Sequence, residues 1–240
     1  MEKINLDEGF AYGIGVFETM AVVNNQVIFA KQHWQRMQKG LKTLGIKERA
    51  EIRECLKGYD AKCENGVKKV SVSRDNIVVE YRENSYTKAD YERGFKLEIA
   101  SMKRNETSPF TYIKSLNYGD NIIAKREAKK RDFDEPIFLN SQGILTEGAT
   151  TNIFFCKGNK IYTPPVESGL LPGIMREWIG ENALIEEQKV SLDCVVEFDE
   201  MFVSNSVLGI MSVANLGEKE FALRKNAQIL RNKYESILNI

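Results

Sequence analysis

One lysine in this chain lies in a setting that suits nucleophilic chemistry. Lys114 follows Tyr112 and Ile113 and precedes Leu116, and no carboxylate occurs within five residues on either side of it. Partial burial in such surroundings favours a neutral amine, which can attack an aldehyde. The alternative is a lysine at a strand end that extends its amine into solvent, as most lysines do.

A carboxylate at Glu147 supplies a second reactive group. It lies between a strand-like run and the segment Gly148-Ala149-Thr150-Thr151. A carboxylate beside a pyridine nitrogen keeps that nitrogen protonated, so that the ring can accept electrons. The alternative is an exposed turn glutamate followed by ordinary turn residues. If Glu147 does pair with a pyridine ring, the side chains of Thr150, Thr151 and Asn152 are expected to contact the molecule that carries this ring, or Glu147 itself.

A glycine before a predicted helix supplies a third group. Pro172-Gly173 precedes Ile174 and Met175, and the N–H groups at a helix start favour a bound phosphate. Arg36, one turn after His33 on an earlier predicted helix, has a guanidinium that also suits phosphate, although a solvent-facing charge is the simpler interpretation. An amine, a carboxylate and a phosphate-binding turn are together what pyridoxal 5′-phosphate (PLP) requires.

The composition argues against several other classes of protein. Thirty-four basic and 34 acidic residues balance, which predicts no nucleic-acid partner and no membrane-surface partner. No uncharged run approaches the ~20 residues of a membrane helix. A single histidine and four cysteines without a CxxC pair predict no metal site: Cys55, Cys63, Cys156 and Cys194. Reduced thiols and a start without an apolar signal core predict a cytoplasmic protein.

The hydrophobic pattern predicts an α+β chain of two α/β domains. A small domain is expected over residues 1–84, a polar linker over 85–92, and a larger domain that carries Lys114 over 93–240. Strands are predicted over 26–29, 67–73, 77–81, 95–99, 136–139, 152–156, 160–162 and 201–203. Helices are predicted over 31–44, 50–56, 121–130 and 175–187.

Several separated motifs, in one order along the chain, resemble the fold-type-IV PLP enzymes. This class includes branched-chain aminotransferase, D-amino acid aminotransferase and aminodeoxychorismate lyase. The resemblance extends from about Asp7 to Val213. It is carried by Tyr12-Gly13, Gly15-Val16-Phe17-Glu18-Thr19, His33 with Arg36, Lys114-Ser115-Leu116-Asn117-Tyr118, Glu147-Gly148 through Asn152-Ile153-Phe154, and Leu171-Pro172-Gly173-Ile174-Met175-Arg176.

The resemblance implies a role for each of these residues. Lys114 corresponds to the Schiff-base lysine, which also moves the proton at the α-carbon. Glu147 corresponds to the partner of the pyridine nitrogen, and Tyr118 to a tyrosine that hydrogen-bonds the cofactor's phenolic oxygen. The other expected cofactor contacts are Arg36, Thr151, Asn152, the backbone of Ile174 and Met175, and Ser206. The implied fold is D-amino acid aminotransferase-like, with PLP between two α/β domains of a homodimer subunit.

Within this class, four segments are more similar to aminodeoxychorismate lyase: Phe17-Glu18-Thr19, Val72-Ser73-Arg74, Gly173 to Arg176, and Asn205-Ser206-Val207-Leu208. Branched-chain aminotransferases carry an arginine–proline pair on a strand of the small domain, and this chain has none there. We therefore expect a lyase that releases pyruvate from a small-molecule substrate and leaves 4-aminobenzoate for folate synthesis.

Two alternatives remain open at the level of sequence. The first is a PLP-dependent aminotransferase for branched-chain or D-amino acids. The second is a non-catalytic protein that kept the fold, against which the joint presence of Lys114, Glu147 and Arg36 argues. The chain also departs from the family's pattern at Ile14, at Gly119-Asp120 and at Ser212, which concerns the shape of the substrate pocket.

Overall fold

The computed structural model describes residues 4–57 and 65–238, so that Cys63 lies outside the described part of the chain. Contacts divide the chain into two compact units, and each contains both helices and a sheet. The first unit comprises Met1–Ser85 with Ile113–Tyr118, and the second comprises Tyr86–Tyr112 with Gly119–Ile240. The predicted α+β composition is confirmed.

The first unit packs two helices on one face of a four-stranded antiparallel sheet. The strands β1 (Gly15–Val23), β2 (Gln26–Val27), β3 (Gly66–Ser73) and β4 (Ile77–Arg82) lie in the order β2-β1-β3-β4. The helices are α1 (Glu8–Tyr12), α2 (Ala30–Thr43) and α3 (Ala50–Lys57). Alternate strand residues meet the apolar stripes of α2 and α3 in one core, because strand side chains alternate between faces. This core includes Val16, Met20, Met37, Leu41, Ile52, Val70 and Val72.

The segment that carries Lys114 belongs to the first unit, whereas the sequence places it in the domain over 93–240. Its backbone pairs with β1: the Lys114 carbonyl accepts from Phe17 N (2.9 Å), and Leu116 N donates to the Gly15 carbonyl (2.9 Å). A single bridge between Val16 and Ser115 completes the pairing. This pairing joins residues that are about a hundred positions apart, and local patterns do not reveal such contacts.

The second unit is built on a nine-stranded sheet. Its strands are β5 (Phe95–Ile99), β6 (Glu135–Leu139), β7 (Leu145–Gly148), β8 (Asn152–Lys157), β9 (Lys160–Thr163), β10 (Ile185–Glu187), β11 (Glu200–Asn205), β12 (Gly209–Leu216) and β13 (Lys219–Glu220). Six of them form a closed ring in the order β8-β11-β12-β5-β6-β7, because β7 also pairs with β8. The helices are α4 (Lys88–Arg93), α5 (Gly119–Lys130), α6 (Ile174–Asn182) and α7 (Lys225–Leu238).

Two stretches of the second unit differ from the prediction. Residues 85–92, expected to be a linker, contain the start of α4, where Thr87 and Asp90 form a capping box. The helix predicted over 175–187 ends at Asn182, because Ala183 is extended and the next strand, β10, pairs in parallel with β9. Among the helices of the described residues, none has the length and apolar character needed to cross a bilayer.

Candidate active site

In the first unit, Lys114 lies against two aromatic rings. Its Nζ atom is 4.5 Å from the ring centroid of Phe17 and 5.4 Å from that of Tyr118. The two rings meet edge to face with centroids 5.1 Å apart. The Phe17 ring is buried on β1, and the backbone pairing of 113–118 with β1 brings Lys114 to it. Lys114 and Tyr118, both predicted from sequence, therefore share one aromatic environment that holds the amine in place.

A buried cluster on the same unit surrounds Glu18. Its carboxylate accepts from Arg36 Nε (2.8 Å) and Arg36 Nη2 (2.5 Å), and His33 Nδ1 lies 2.6 Å from Glu18 Oε2. Although burial opposes ionisation, the charges of Arg36 and His33 lower the pKa of Glu18 to about 2. Burial lowers the pKa of His33, and the charges of Arg36 and Lys114 lower it further against the opposing effect of Glu18.

The Glu18 cluster gives Arg36 a partner that sequence analysis did not identify. Two nitrogens on one edge of the guanidinium donate to Glu18, so Arg36 is fixed in direction rather than solvated as an isolated helix charge. Glu18 and Arg36 lie on β1 and α2, and sequence spacing between a strand and a helix does not predict their contact. The expected contact of Arg36 with a phosphate stays a prediction.

In the second unit, Glu147 lies buried on β7, and each carboxylate oxygen contacts one partner. Oε2 accepts from the backbone N–H of Leu171 at 3.0 Å, and Oε1 lies 3.0 Å from Arg104 Nη2. Arg104 and Glu147 expose only 11% and 9% of their side chains. The carboxylate is therefore fixed and paired rather than free in a solvated turn. Arg104 was missed by the sequence analysis, because no motif or spacing links it to Glu147.

The turn after Glu147 is organised by another buried acid, Glu135. Its Oε1 atom accepts from the backbone N–H and hydroxyl of Thr150 and, at 3.3 Å, from the hydroxyl of Thr151. Its Oε2 atom lies 2.9 Å from Lys125 Nζ. A side chain at Gly148 would collide with Thr151 Oγ1 and Glu135, so a larger residue there would displace these side chains. The threonine hydroxyls thus bond to Glu135, whose role sequence analysis missed.

Asn152 connects this turn to the start of α6. Its Nδ2 donates to the Leu171 carbonyl (2.9 Å), and its Oδ1 lies so close to Gly173 that a Cβ there would collide with it. Gly173 is an extended N-cap without a side-chain hydrogen bond. The first N–H groups of α6, from Ile174 and Met175, have no acceptor within the helix, and this geometry suits a phosphate.

Ser206 lies in the turn between β11 and β12. Asn205 holds this turn, because its Oδ1 accepts from Val207 N (2.9 Å) and Leu208 N (2.8 Å). Its Nδ2 donates to the Thr150 carbonyl at 3.1 Å, which joins the turn to the one after Glu147. The second unit therefore links the segments of Glu147, Thr151, Asn152 and Ser206 through hydrogen bonds.

Comparisons with known proteins identify a family for this architecture. The model of the amino-transferase class IV family matches residues 15–216. An aminodeoxychorismate lyase of Bacillus subtilis is 29% identical over 239 residues, covering 90% of this chain and 82% of the relative. A D-alanine aminotransferase of Staphylococcus epidermidis is 27% identical over 233 residues, covering 88% of this chain and 82% of the relative.

Solved structures match nearly the whole chain. A 4-amino-4-deoxychorismate lyase from Pseudomonas aeruginosa superimposes with a TM-score of 0.87 at 22% identity, covering 100% of this chain and 97% of the other. A branched-chain amino acid aminotransferase from Escherichia coli gives a TM-score of 0.85 at 19% identity, covering 98% and 90%. At these identities the structural matches establish the fold, and the predicted fold type is confirmed.

Proposed function

Because this chain belongs to the class IV aminotransferase family of PLP-dependent enzymes, we propose that it is a PLP-dependent 4-amino-4-deoxychorismate lyase. Its products are pyruvate and 4-aminobenzoate, a precursor in folate synthesis. Support comes from a relative of 29% identity that carries the lyase name. The observation that carries the proposal is the Asn205–Leu208 turn, which Asn205 closes with two hydrogen bonds and whose residues are more similar to the lyases than to the aminotransferases of this family.

The residues present fit the cofactor. A buried, doubly held carboxylate at Glu147 suits a protonated ring nitrogen, and the crowded glycine before α6 leaves backbone N–H groups for a phosphate. We assign covalent attachment to Lys114, the phenolic oxygen to Tyr118, and the ring nitrogen to Glu147. The phosphate is assigned to Ile174, Met175, Arg36 and Ser206, with Thr151 and Asn152 as further contacts.

When bound, PLP supplies an electron-accepting ring attached to the substrate's amine. The side-chain amine of Lys114 would take the proton from the substrate carbon that bears the substrate's own amine. The carbon–oxygen bond at the neighbouring carbon would then break, enolpyruvate would leave with the electron pair of that bond, and its protonation would give pyruvate. Glu147 would hold the proton of the ring nitrogen and so stabilise its positive charge. No amino acceptor is consumed, because the amine stays on the product.

A class IV aminotransferase acting on branched-chain or D-amino acids is the second candidate. It is supported by relatives with those names, including the D-alanine aminotransferase at 27% identity. For either reaction we propose a homodimer in the cytoplasm, on the resemblance and on the reduced thiols expected from the sequence. Gel filtration with light scattering measures the subunit number directly.

Borohydride labelling followed by an assay without acceptor tests the proposal. The protein, loaded with PLP and treated with borohydride, should carry a pyridoxyl label on the peptide with Lys114. Lys114→Ala should abolish this label and turnover while leaving a folded protein. The matched control is Lys129→Ala, which removes an exposed lysine of α5 in the second unit. A label on another lysine would contradict the assignment of Lys114, and absence of pyruvate from aminodeoxychorismate would contradict the lyase.

A further inference from the structure

We propose that Arg104 is a positioning residue that keeps the proton on the cofactor's ring nitrogen by acting through Glu147. This inference rests on the proposed function, because it concerns the partner that Glu147 would hold. Arg104 lies in the segment between β5 and the first-unit residues 113–118, and no motif identifies it. Its guanidinium belongs to the same unit as Glu147.

The contact between Arg104 and Glu147 is mainly electrostatic. Arg104 Nη2 lies 3.0 Å from Glu147 Oε1, within the distance of an ion pair but without the angle of a hydrogen bond. Both side chains are about nine-tenths buried, so water screens the pair weakly. The guanidinium therefore acts on the carboxylate mainly through its positive charge and not through a directional hydrogen bond.

Other contacts fix the position of that charge. Arg104 Nη1 donates to Asn121 Oδ1 at 3.1 Å, and Asn121 Nδ2 in turn donates to the Ala149 carbonyl at 2.6 Å. The guanidinium carbon lies 4.0 Å from the ring centroid of Phe138. Asn121 and the Phe138 ring thus hold the guanidinium in place. Its positive charge therefore stays next to Glu147 when a proton moves onto the carboxylate.

The direction of the effect follows from these distances. A carboxylate and a ring nitrogen share one proton, and moving that proton onto the carboxylate brings positive charge toward Arg104. Because Arg104 is in contact with Glu147, its charge opposes this movement and favours the proton on the nitrogen. The second carboxylate oxygen accepts from Leu171 N, which favours the negative form in the same way.

The test measures the proton on the nitrogen directly. Wild type and variants are loaded with ¹⁵N-labelled PLP, and the ¹⁵N chemical shift distinguishes a protonated from an unprotonated ring nitrogen. We compare Arg104→Gln, which keeps a donor but removes the charge, with Arg104→Lys, which keeps the charge. The matched control is Arg131→Gln, because Arg131 makes a two-bond ion pair with Glu98 on the same unit. Borohydride labelling of Lys114 reports in each protein that PLP is bound.

We expect Arg104→Gln to shift the signal toward the unprotonated position and to lower turnover at least tenfold, with labelling retained. Arg104→Lys and Arg131→Gln should keep the protonated signal. In a Glu147→Gln background, Arg104→Gln should have no further effect on the signal.

An unchanged signal in Arg104→Gln, with PLP bound, would show that Arg104 is structural. If Arg104→Gln does not fold, loss of the protonated signal in folded Arg104→Lys equally contradicts the charge effect. An unlabelled wild type would contradict the proposed function itself.

Discussion

Glu147 and Asn152 hold opposite sides of one residue, Leu171. The Glu147 carboxylate accepts from the Leu171 N–H at 3.0 Å, and the Asn152 amide donates to the Leu171 carbonyl at 2.9 Å. Two neighbouring strands, β7 and β8, therefore fix the loop that leads into α6. In the proposed enzyme this couples the group for the ring nitrogen to the helix start for the phosphate, so a disturbance of one reaches the other.

The first prediction concerns Gly173, where this loop meets Asn152. Gly173→Ala should weaken PLP binding at least tenfold, because the added Cβ collides with Asn152 Oδ1 and displaces the start of α6. Equilibrium dialysis against PLP measures the dissociation constant. The matched control is Gly180→Ala in the same helix, where the nearest atom to the new Cβ is Ile185 Cδ1 at 3.9 Å. Equal PLP affinities in both variants would contradict the assignment of the phosphate to the start of α6.

The second prediction concerns the carboxylate of Glu147. Glu147→Gln should leave PLP bound, since the phosphate contacts and Lys114 remain, but turnover should fall about a hundredfold. The ring nitrogen loses its anionic partner, and a loss of ~3 kcal/mol in transition-state stabilisation corresponds to that factor. Steady-state pyruvate release at saturating PLP is the measurement. An unchanged rate would show that another group holds the nitrogen.

The third prediction separates two roles of Arg36. Arg36→Ala should weaken PLP affinity, and excess PLP should restore activity, because a charge-assisted contact acts in both ground and transition states. It should also lower the free energy of unfolding by about 3 kcal/mol, because it leaves the buried Glu18 with fewer partners. Denaturant unfolding without PLP measures this second effect.

The control for Arg36 is the double variant Arg36→Ala with Glu18→Gln. It removes the uncompensated carboxylate, so stability should recover in part while PLP affinity stays low. If saturating PLP is bound but restores no activity in Arg36→Ala, the phosphate role is wrong and Arg36 belongs to the fold or to catalysis.

The fourth prediction concerns stability in acid. Asp7 is buried at the start of α1, and its carboxylate accepts from Ser73 Oγ (2.6 Å) and from the N–H groups of Gly9 (2.9 Å) and Phe10 (3.1 Å). Burial opposes ionisation, yet these bonds and one from Asp75 lower its pKa from 3.8 to about 2. The folded state therefore binds this proton less readily than the unfolded state does.

Because the pKa of Asp7 is lower in the folded state, its ionised carboxylate stabilises the fold at pH values above the pKa of the unfolded chain. This stabilisation is lost as the pH falls toward about 2. Asp7→Asn should flatten the decline of unfolding free energy between about pH 4 and pH 2, measured by denaturant titration at each pH. The exposed Glu83→Gln serves as the control and should leave the decline unchanged. A decline equally steep in Asp7→Asn would assign the acid sensitivity to other groups, such as Glu18.

Local patterns in the sequence predicted the helices and strands that have a clear hydrophobic periodicity. The helix expected over 31–44 is α2, the strands expected over 67–73 and 77–81 are β3 and β4, and the helix over 121–130 is most of α5. The contacts that depend on pairing of distant segments were not predicted. Backbone bonds to β1 place Lys114 in the first unit, although the segments that flank residues 113–118 on both sides belong to the second.

The site divides in the same way. Motifs indicated Lys114, Tyr118 and Glu147 as candidates, because their chemistry is visible in residue type and order. They could not supply Arg104 or Glu135, which act by burial beside a carboxylate or a turn. An arginine or glutamate of this kind reads as an ordinary surface charge until the fold shows that it is buried and paired.

The last prediction concerns the reaction. A lyase leaves its cofactor in the aldehyde-derived form after each turnover, whereas an aminotransferase converts it to the amine form and needs a keto acid to restore it. Mixing the PLP-loaded protein with L-glutamate, L-leucine or D-alanine, without a keto acid, should therefore leave the cofactor's visible absorbance unchanged. The same preparation should release pyruvate from aminodeoxychorismate with no added acceptor. Stoichiometric conversion to the amine form with one amino acid, together with no pyruvate, would establish the aminotransferase instead. Lys114→Ala should be inactive in both assays, which excludes a contaminating enzyme as the source of either signal.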